Sequence, residues 1–154
     1  MKKNSKIYIS IIIATLTILV GCSNRNTTKI DSPQTVVENY FQYKNEKNKD
    51  KVFTTVTDYY KSPNTNWGFE NLDSIKIVNI EEEMDENFKN GYLHAGRGYN
   101  TGISENNVKI YKVTYDVKYI KDGLGPQDSG IYDMWFTLIR EDENMPWLID
   151  DLGA

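Results

Sequence analysis

Val108-Lys109-Ile110-Tyr111-Lys112-Val113-Thr114-Tyr115-Asp116-Val117-Lys118-Tyr119 alternates apolar and polar side chains with a period of two. In an extended chain Tyr111, Val113, Tyr115, Val117 and Tyr119 share one face, and Lys112, Thr114, Asp116 and Lys118 share the other. One face is therefore buried and one wet, the signature of an antiparallel sheet covered on one side. The strand is expected over Val108–Lys121. The turn-rich run Gly123-Leu124-Gly125-Pro126-Gln127-Asp128-Ser129-Gly130 follows. The chain then returns over Ile131–Arg140, with Met134, Phe136 and Leu138 on one side and Trp135 and Ile139 on the other. A turn at Glu141–Asn144 leads to a final strand, Trp147–Leu152. Upstream, Ile75, Ile77, Val78 and Ile80 mark a β-branched strand over Ser74–Glu83.

Before these strands the period changes to that of a helix. Ser32-Pro33 supplies an N-cap hydroxyl and a proline for the first helical position. Val36, Val37, Tyr40 and Phe41 then form one apolar stripe. Asp50 is placed to cap a second helix with the stripe Val52, Phe53, Val56, Tyr59 and Tyr60, stopped by Ser62-Pro63-Asn64. The fold class is α+β: two N-terminal helices packed on a curved antiparallel sheet of about four strands. Residues 84–107 fit neither period, apart from a short helix near Met84–Asn90, and a connection this long is commonly functional or partly structured.

The first 22 residues have another logic. Lys2, Lys3 and Lys6 precede an uncharged, mostly aliphatic run, Ile7–Val20, and then Gly21 and Cys22. This is the layout of a secretory signal, and the run is shorter than the roughly 20 residues needed to span a bilayer. Leu19-Val20-Gly21-Cys22 resembles the lipobox of bacterial lipoproteins, whose cysteine receives a diacylglycerol and becomes the mature N-terminus. The resemblance implies cleavage between Gly21 and Cys22 and a two-chain anchor on the extracytoplasmic face of the cell membrane. Residues 1–21 are then the signal, 22–31 a lipidated polar tether, and 32–154 a single α+β domain. The signal holds three lysines and no acid, which leaves 15 basic against 22 acidic residues, a mature net charge of −7. Such a balance argues against nucleic acid as a partner. Cys22 is the only cysteine, so lipidation leaves no disulfide and no thiolate for metal or nucleophilic chemistry.

No catalytic constellation stands out. His94, the only histidine, has no second histidine or cysteine at ligand spacing. Arg97 lies between Gly96 and Gly98 and offers a guanidinium to a carboxylate or phosphate; the commoner role of such a segment is a tight loop whose arginine pairs with a nearby acid. Glu81-Glu82-Glu83 with Asp85 and Glu86 lacks the order of a calcium loop. Asp150 and Asp151 are adjacent on a strand and are expected to point to opposite faces. The tyrosines of the central strand either fill a core or line an apolar cleft with hydroxyls at its rim. No cofactor and no metal are implied.

Several strings resemble a family of lipoproteins from low-GC Gram-positive bacteria, the family of domain of unknown function 4829. They are Trp67-Gly68-Phe69-Glu70-Asn71-Leu72, Gly96-Arg97-Gly98, Lys121-Asp122-Gly123-Leu124-Gly125-Pro126-Gln127-Asp128-Ser129-Gly130 and Pro146-Trp147-Leu148-Ile149-Asp150-Asp151. The order of elements, closing on Trp147-Leu148-Ile149, is also similar to the cone-shaped cystatin- and nuclear-transport-factor-2-like folds. The resemblance implies membrane attachment and fold, and it brings no activity. Enzymes of the wider fold, such as ketosteroid isomerase and scytalone dehydratase, set a carboxylate or histidine inside the cone. By analogy Asp133, on the same side of its strand as Trp135, is the acid to test as a buried base. The expected ligand cleft takes Tyr111, Tyr115, Asp133, Trp135 and Arg97. Three functions stay open: a binding domain for a small ligand or surface protein, a proton-shuttling isomerase or dehydratase, and a structural module that self-associates. Cys22→Ser is expected to abolish lipid labelling and leave the precursor uncleaved; membrane-bound protein of mature size from that variant would contradict the anchor.

Overall fold

Strand β2 (Val108–Tyr119) pairs antiparallel with β1 (Leu72–Glu82) on one side and β3 (Gly130–Ile139) on the other, and β3 pairs with β4 (Leu148–Gly153). The spatial order is the chain order, an open four-stranded meander, and with the helices it makes an α+β domain. The structure is a computed structural model that describes residues 30–153. Gly21 and Cys22, on which the cleavage and lipidation reading falls, lie outside the described residues. Among the described residues no helix is long and apolar enough to cross a membrane.

Helix α1 (Pro33–Asn45) starts as its sequence dictates: Ser32 Oγ accepts from the Thr35 N–H, and Pro33 sits in the first turn. Its stripe of Val36, Val37, Tyr40 and Phe41 is buried against the sheet face that carries Tyr111, Val113, Tyr115 and Val117. The Phe41 ring lies 5.5 Å from that of Tyr115 and 5.4 Å from that of Phe136. Phe136, Leu138 and Ile149 are almost fully enclosed in this core, and each such side chain contributes about 1.5–3 kcal/mol by leaving water.

The second helix is shorter than its periodicity suggests. Helix α2 spans only Lys49–Phe53, and its cap is Asn48 rather than Asp50. The cause is tertiary. Thr55 O accepts from the Ile149 N–H and the Thr57 N–H donates to Ile149 O, a parallel bridge that covers the outer edge of β4. Backbone groups that would continue the helix are spent on the sheet, and Tyr59 and Tyr60 sit instead on a 3₁₀ turn, Asp58–Lys61.

Residues 84–107 carry more structure than the short helix expected near Met84–Asn90. Helix α3 runs from Glu86 to His94, capped by Asp85, and two 3₁₀ turns follow at Arg97–Asn100 and Glu105–Asn107. Within α3 only Tyr92 is buried, so the segment has almost no stripe to read. Tyr92 packs on Val108 and Ile110 together with Trp135 and Ile139, on the sheet face opposite α1. The one-wet-face expectation thus holds along Lys112–Lys118 and fails at the start of β2, where both faces are covered.

One carboxylate pins this excursion. Thr137 pairs with Asp151 and Leu138 with Ile149, so Asp150 is the extra residue of a β-bulge. Ile149 and Leu152 remain in the α1 core, while Asp150 reaches Tyr92 and Asp151 stands beside Thr137 on the α3 face. The expectation that Asp150 and Asp151 diverge is overturned, because the bulge cancels one step of the alternation. Asp150 is 5 % exposed and accepts four hydrogen bonds: Tyr92 Oη at 2.8 Å, Thr57 Oγ1 at 2.9 Å, and Arg97 Nε and Nη2 at 3.2 Å each. Burial alone would raise its pKa; the bonds from Arg97, Tyr92 and Thr57 outweigh burial and hold it below the usual carboxylate value. Tyr59 stacks on the Arg97 guanidinium at 3.5 Å from the ring centroid.

The glycines beside Arg97 also answer to Tyr92. A Cβ at Gly98 would lie 2.6 Å from Tyr92 Cε1 and 2.9 Å from Tyr92 O, and one at Gly96 would lie 3.0 Å from Tyr92 Cα. Gly98→Ala is therefore expected to cost about 1–3 kcal/mol in urea denaturation. Gly91→Ala, on open space in α3, is expected to gain roughly 0.5–1 kcal/mol. A depressed carboxylate contributes its full stability above its unfolded pKa and loses it as pH falls through the lower folded value. Acid unfolding followed by circular dichroism is accordingly expected to steepen below about pH 4. Asp150→Asn should flatten that limb and lower stability at neutral pH by about 3 kcal/mol, because Arg97 is left unpaired.

Candidate functional site

A cavity of about 220 Å³ lies between α1 and the sheet. Tyr40 and Lys44 line it from the helix, Trp67 from the loop after Pro63, and Tyr115, Gln127 and Phe136 from the sheet side. Rigid rings meet there edge to face: Tyr40 lies 5.7 Å from Phe41, 6.5 Å from Trp67 and 5.6 Å from Phe136 between centroids. Such geometry is favourable for the ring quadrupoles, and rings set at steep angles leave space between them that a flexible side chain would fill.

Two polar groups of the cavity, Lys44 and Trp67, can only donate, and the tyrosine hydroxyls and Gln127 amide can do both. Tyr40 is 5 % exposed, its hydroxyl makes no hydrogen bond among the described residues, and burial pushes its pKa far above the usual tyrosine value. Lys44 forms no ion pair or hydrogen bond among the described residues; its Nζ lies 5.5 Å from the Tyr40 ring centroid, and burial lowers its pKa. Trp67 Nε1 is buried without a partner. Only Tyr115 Oη and the Gln127 side-chain amide satisfy each other, with Gln127 Nε2 donating at 3.0 Å. Among the described residues no carboxylate and no histidine lines the cavity.

Two loops form the mouth, and a single asparagine ties them. Asn71 Nδ2 donates to Lys121 O at 2.8 Å, the Lys121 N–H donates to Asn71 Oδ1 at 3.0 Å, and the Ile120 N–H donates to Asn71 O at 2.8 Å. The β2–β3 loop closes on itself: Asp122 accepts from Ser129 N and Oγ, and Asp128 accepts from the Gly123 N–H. Gly68 and Gly123 hold φ of 67° and 78°, the left-handed region that favours glycine. Trp67–Leu72 and Lys121–Gly130 thus assemble the mouth. The two other strings singled out in the sequence, Gly96–Gly98 and Pro146–Asp151, meet at the Asp150 carboxylate.

The five residues expected in one cleft are not brought together. Tyr111 and Tyr115 face the α1 core, and only Tyr115 lines the cavity. Asp133 and Trp135 stand on the opposite face, as their odd positions in β3 require, since Thr114 pairs with Asp133 and Lys112 with Trp135. Asp133 is no buried base: it is exposed, ion-paired with Lys112 at 2.9 Å and bonded by Thr114 Oγ1 at 2.6 Å. The Thr114 and Lys112 bonds lower its pKa, the reverse of the shift a buried base needs. Arg97 takes the commoner of its two roles, clamped on Asp150. His94 is exposed, and among the described residues no group of three His, Cys, Asp or Glu is placed to hold a metal ion.

Sequence reasoning gave Lys44 no part in the cleft and gave Trp67 no role beyond its string. A usable signal existed: Lys44 follows Tyr40 by four residues, so the two share a helix face. A family model described as a domain of unknown function (DUF4829) matches residues 34–153, nearly all of the described chain. No curated protein and no solved structure matches.

Proposed function

We propose, for a chain that belongs to the family described as a domain of unknown function (DUF4829), that it is a membrane-tethered lipoprotein whose domain binds a small carboxylate- or carbonyl-bearing molecule in the cavity beneath α1. One observation carries this reading. Tyr40, Lys44 and Trp67 present donors with no partner among the described residues, and one of them carries a positive charge. Of these, only Trp67 Nε1 is sealed from water; buried donors ordinarily find acceptors, and an acceptor group of a ligand in the cavity would serve it together with Tyr40 and Lys44. At about 220 Å³ the cavity is smaller than the roughly 300–1,000 Å³ of drug-sized sites, which favours a one-ring acid. In the cone-like, nuclear-transport-factor-2-like reading, α1 and the sheet are the walls of the cone and the two loops tied by Asn71 are its rim.

Binding is favoured over proton shuttling because the described lining offers no carboxylate or histidine as a base. The anchor fits the same scheme. Ile30 and Asp31, where the tether would enter, lie beside Asn144 and Trp147 at the β3–β4 turn. The mouth is at the β2–β3 loop, the other end of a ten-residue strand some 33 Å long. A chain held at Cys22 would then turn its mouth away from the bilayer, toward ligands in the aqueous phase.

Calorimetric titration with benzoate, and with benzyl alcohol as the neutral control, tests the site. Benzoate is expected to bind more tightly than the alcohol. Lys44→Met should weaken it about tenfold or more, and Tyr40→Phe by a few fold. Affinity should fall on raising the pH at a lower value than an ordinary lysine would set, since burial lowers the Lys44 pKa. Equal binding by Lys44→Met and the parent protein would overturn the proposal.

A further inference from the structure

We infer that the opposite face of the sheet carries a second binding site, for a small organic primary ammonium ion. A groove of about 390 Å³ runs between α3 and the sheet, lined by Asn87, Phe88, Tyr92, Trp135, Thr137 and Asp151. Three of these, Asn87, Thr137 and Asp151, bring acceptor oxygens to the groove, and Asp151 brings the only charge in its lining. Thr137 is 7 % exposed, and its hydroxyl makes no hydrogen bond among the described residues although it lines the groove. A threonine this enclosed ordinarily bonds. Asp151 is the register partner of Thr137. It forms no ion pair among the described residues, and its carboxylate accepts only from the N–H of Leu152 at 3.0 Å. The side-chain amide of Asn87, an exposed residue, makes no hydrogen bond among the described residues.

A primary ammonium has three donors and no acceptor. Asp151 carboxylate, Thr137 Oγ1 and Asn87 Oδ1 are three acceptors on one groove. The apolar part of the ligand has its own wall: Phe88, 41 % exposed, stacks on Trp135 at 5.4 Å and 13°. Aromatic faces attract ammonium groups, and the exposed Phe88 ring is the one available, because Lys112 already places its Nζ 5.1 Å from the Trp135 ring centroid. Charge selects the same ligand. The neighbouring guanidinium, Arg97, is held by Asp150, so the Asp151 charge is left without an ion-pair partner in the groove. The site stands on the face opposite the α1 cavity and takes a ligand of opposite charge, so neither proposal depends on the other.

The test is a titration of the full chain in non-ionic detergent with butylammonium chloride, read by the ¹H–¹⁵N NMR signal of Trp135 Nε1–H, with 1-butanol as the uncharged control. Saturable shifts of Trp135 are expected with butylammonium and none with butanol at equal concentration. Asp151→Asn should weaken binding about tenfold or more and Thr137→Val several fold, in variants whose ligand-free spectra match the parent. Lys44→Met should leave this titration unchanged. An equal response to butanol, a response only to an uncharged sugar such as N-acetylglucosamine, or full binding by a folded Asp151→Asn would each overturn the inference.

Discussion

Four donors converge on the Asp150 carboxylate, and three separated segments of the chain depend on that convergence. Thr57 comes from the turn after α2, Tyr92 from α3 and Arg97 from the glycine-flanked loop behind it, while Asp150 itself is on β4. A carboxylate has about four lone-pair sites, so every acceptor position of this buried group is occupied. Removing any donor would leave charge in a region that water reaches poorly. That asymmetry, rather than the net worth of the pair, makes the arrangement restrictive. It fixes the 84–107 excursion to the sheet without a stripe of apolar residues on α3, and it keeps Gly96 and Gly98 small, because Gly98 abuts the Tyr92 ring and Gly96 the backbone of Tyr92.

The β-bulge that supplies Asp150 also divides the molecule. Up to the bulge, β4 sends alternate residues to opposite faces; at the bulge it sends two successive acids to the α3 side and then returns Leu152 to the α1 core. A sheet of four strands thereby carries two enclosed regions of different chemistry. The region beneath α1 is aromatic with donors that have no partner among the described residues. The region beneath α3 is aromatic and carries the Asp151 carboxylate, which has no ion-pair partner among the described residues. Both use the same strand β3, through Phe136 on one face and Trp135 on the other.

The strings that mark the family likeness fall into two places in space. Trp67–Leu72 and Lys121–Gly130 make the mouth of the cavity, joined by Asn71. Gly96–Gly98 and Pro146–Asp151 make the carboxylate knot. Each contains residues whose choice has a local physical reason: glycines at positive φ in the mouth, glycines against Tyr92 in the knot, and aspartates that satisfy loop N–H groups.

The sequence by itself determined the strands and the first helix, because period and caps are local. The alternation from Tyr111 to Tyr119 has only one solution as a half-buried strand, and Ser32-Pro33 has only one reading before a Val-Val-Tyr-Phe stripe. The same alternation already separated Trp135 from Phe136, and so the grouping of Asp133 and Trp135 with the core-facing tyrosines was incompatible with it. Tertiary structure alone decided the rest. Helix α2 stops early because β4 takes its backbone partners; α3 forms on one buried residue because Tyr92 finds Asp150; and Asp150 and Asp151 share a face because of a bulge that no side-chain pattern announces. The first two depend on contacts between residues more than fifty positions apart, and the bulge on the pairing of β4 with β3, eleven to fourteen positions away. Local periodicity carries no information about such pairings, since the energy that selects them exists only once the distant partner is in place.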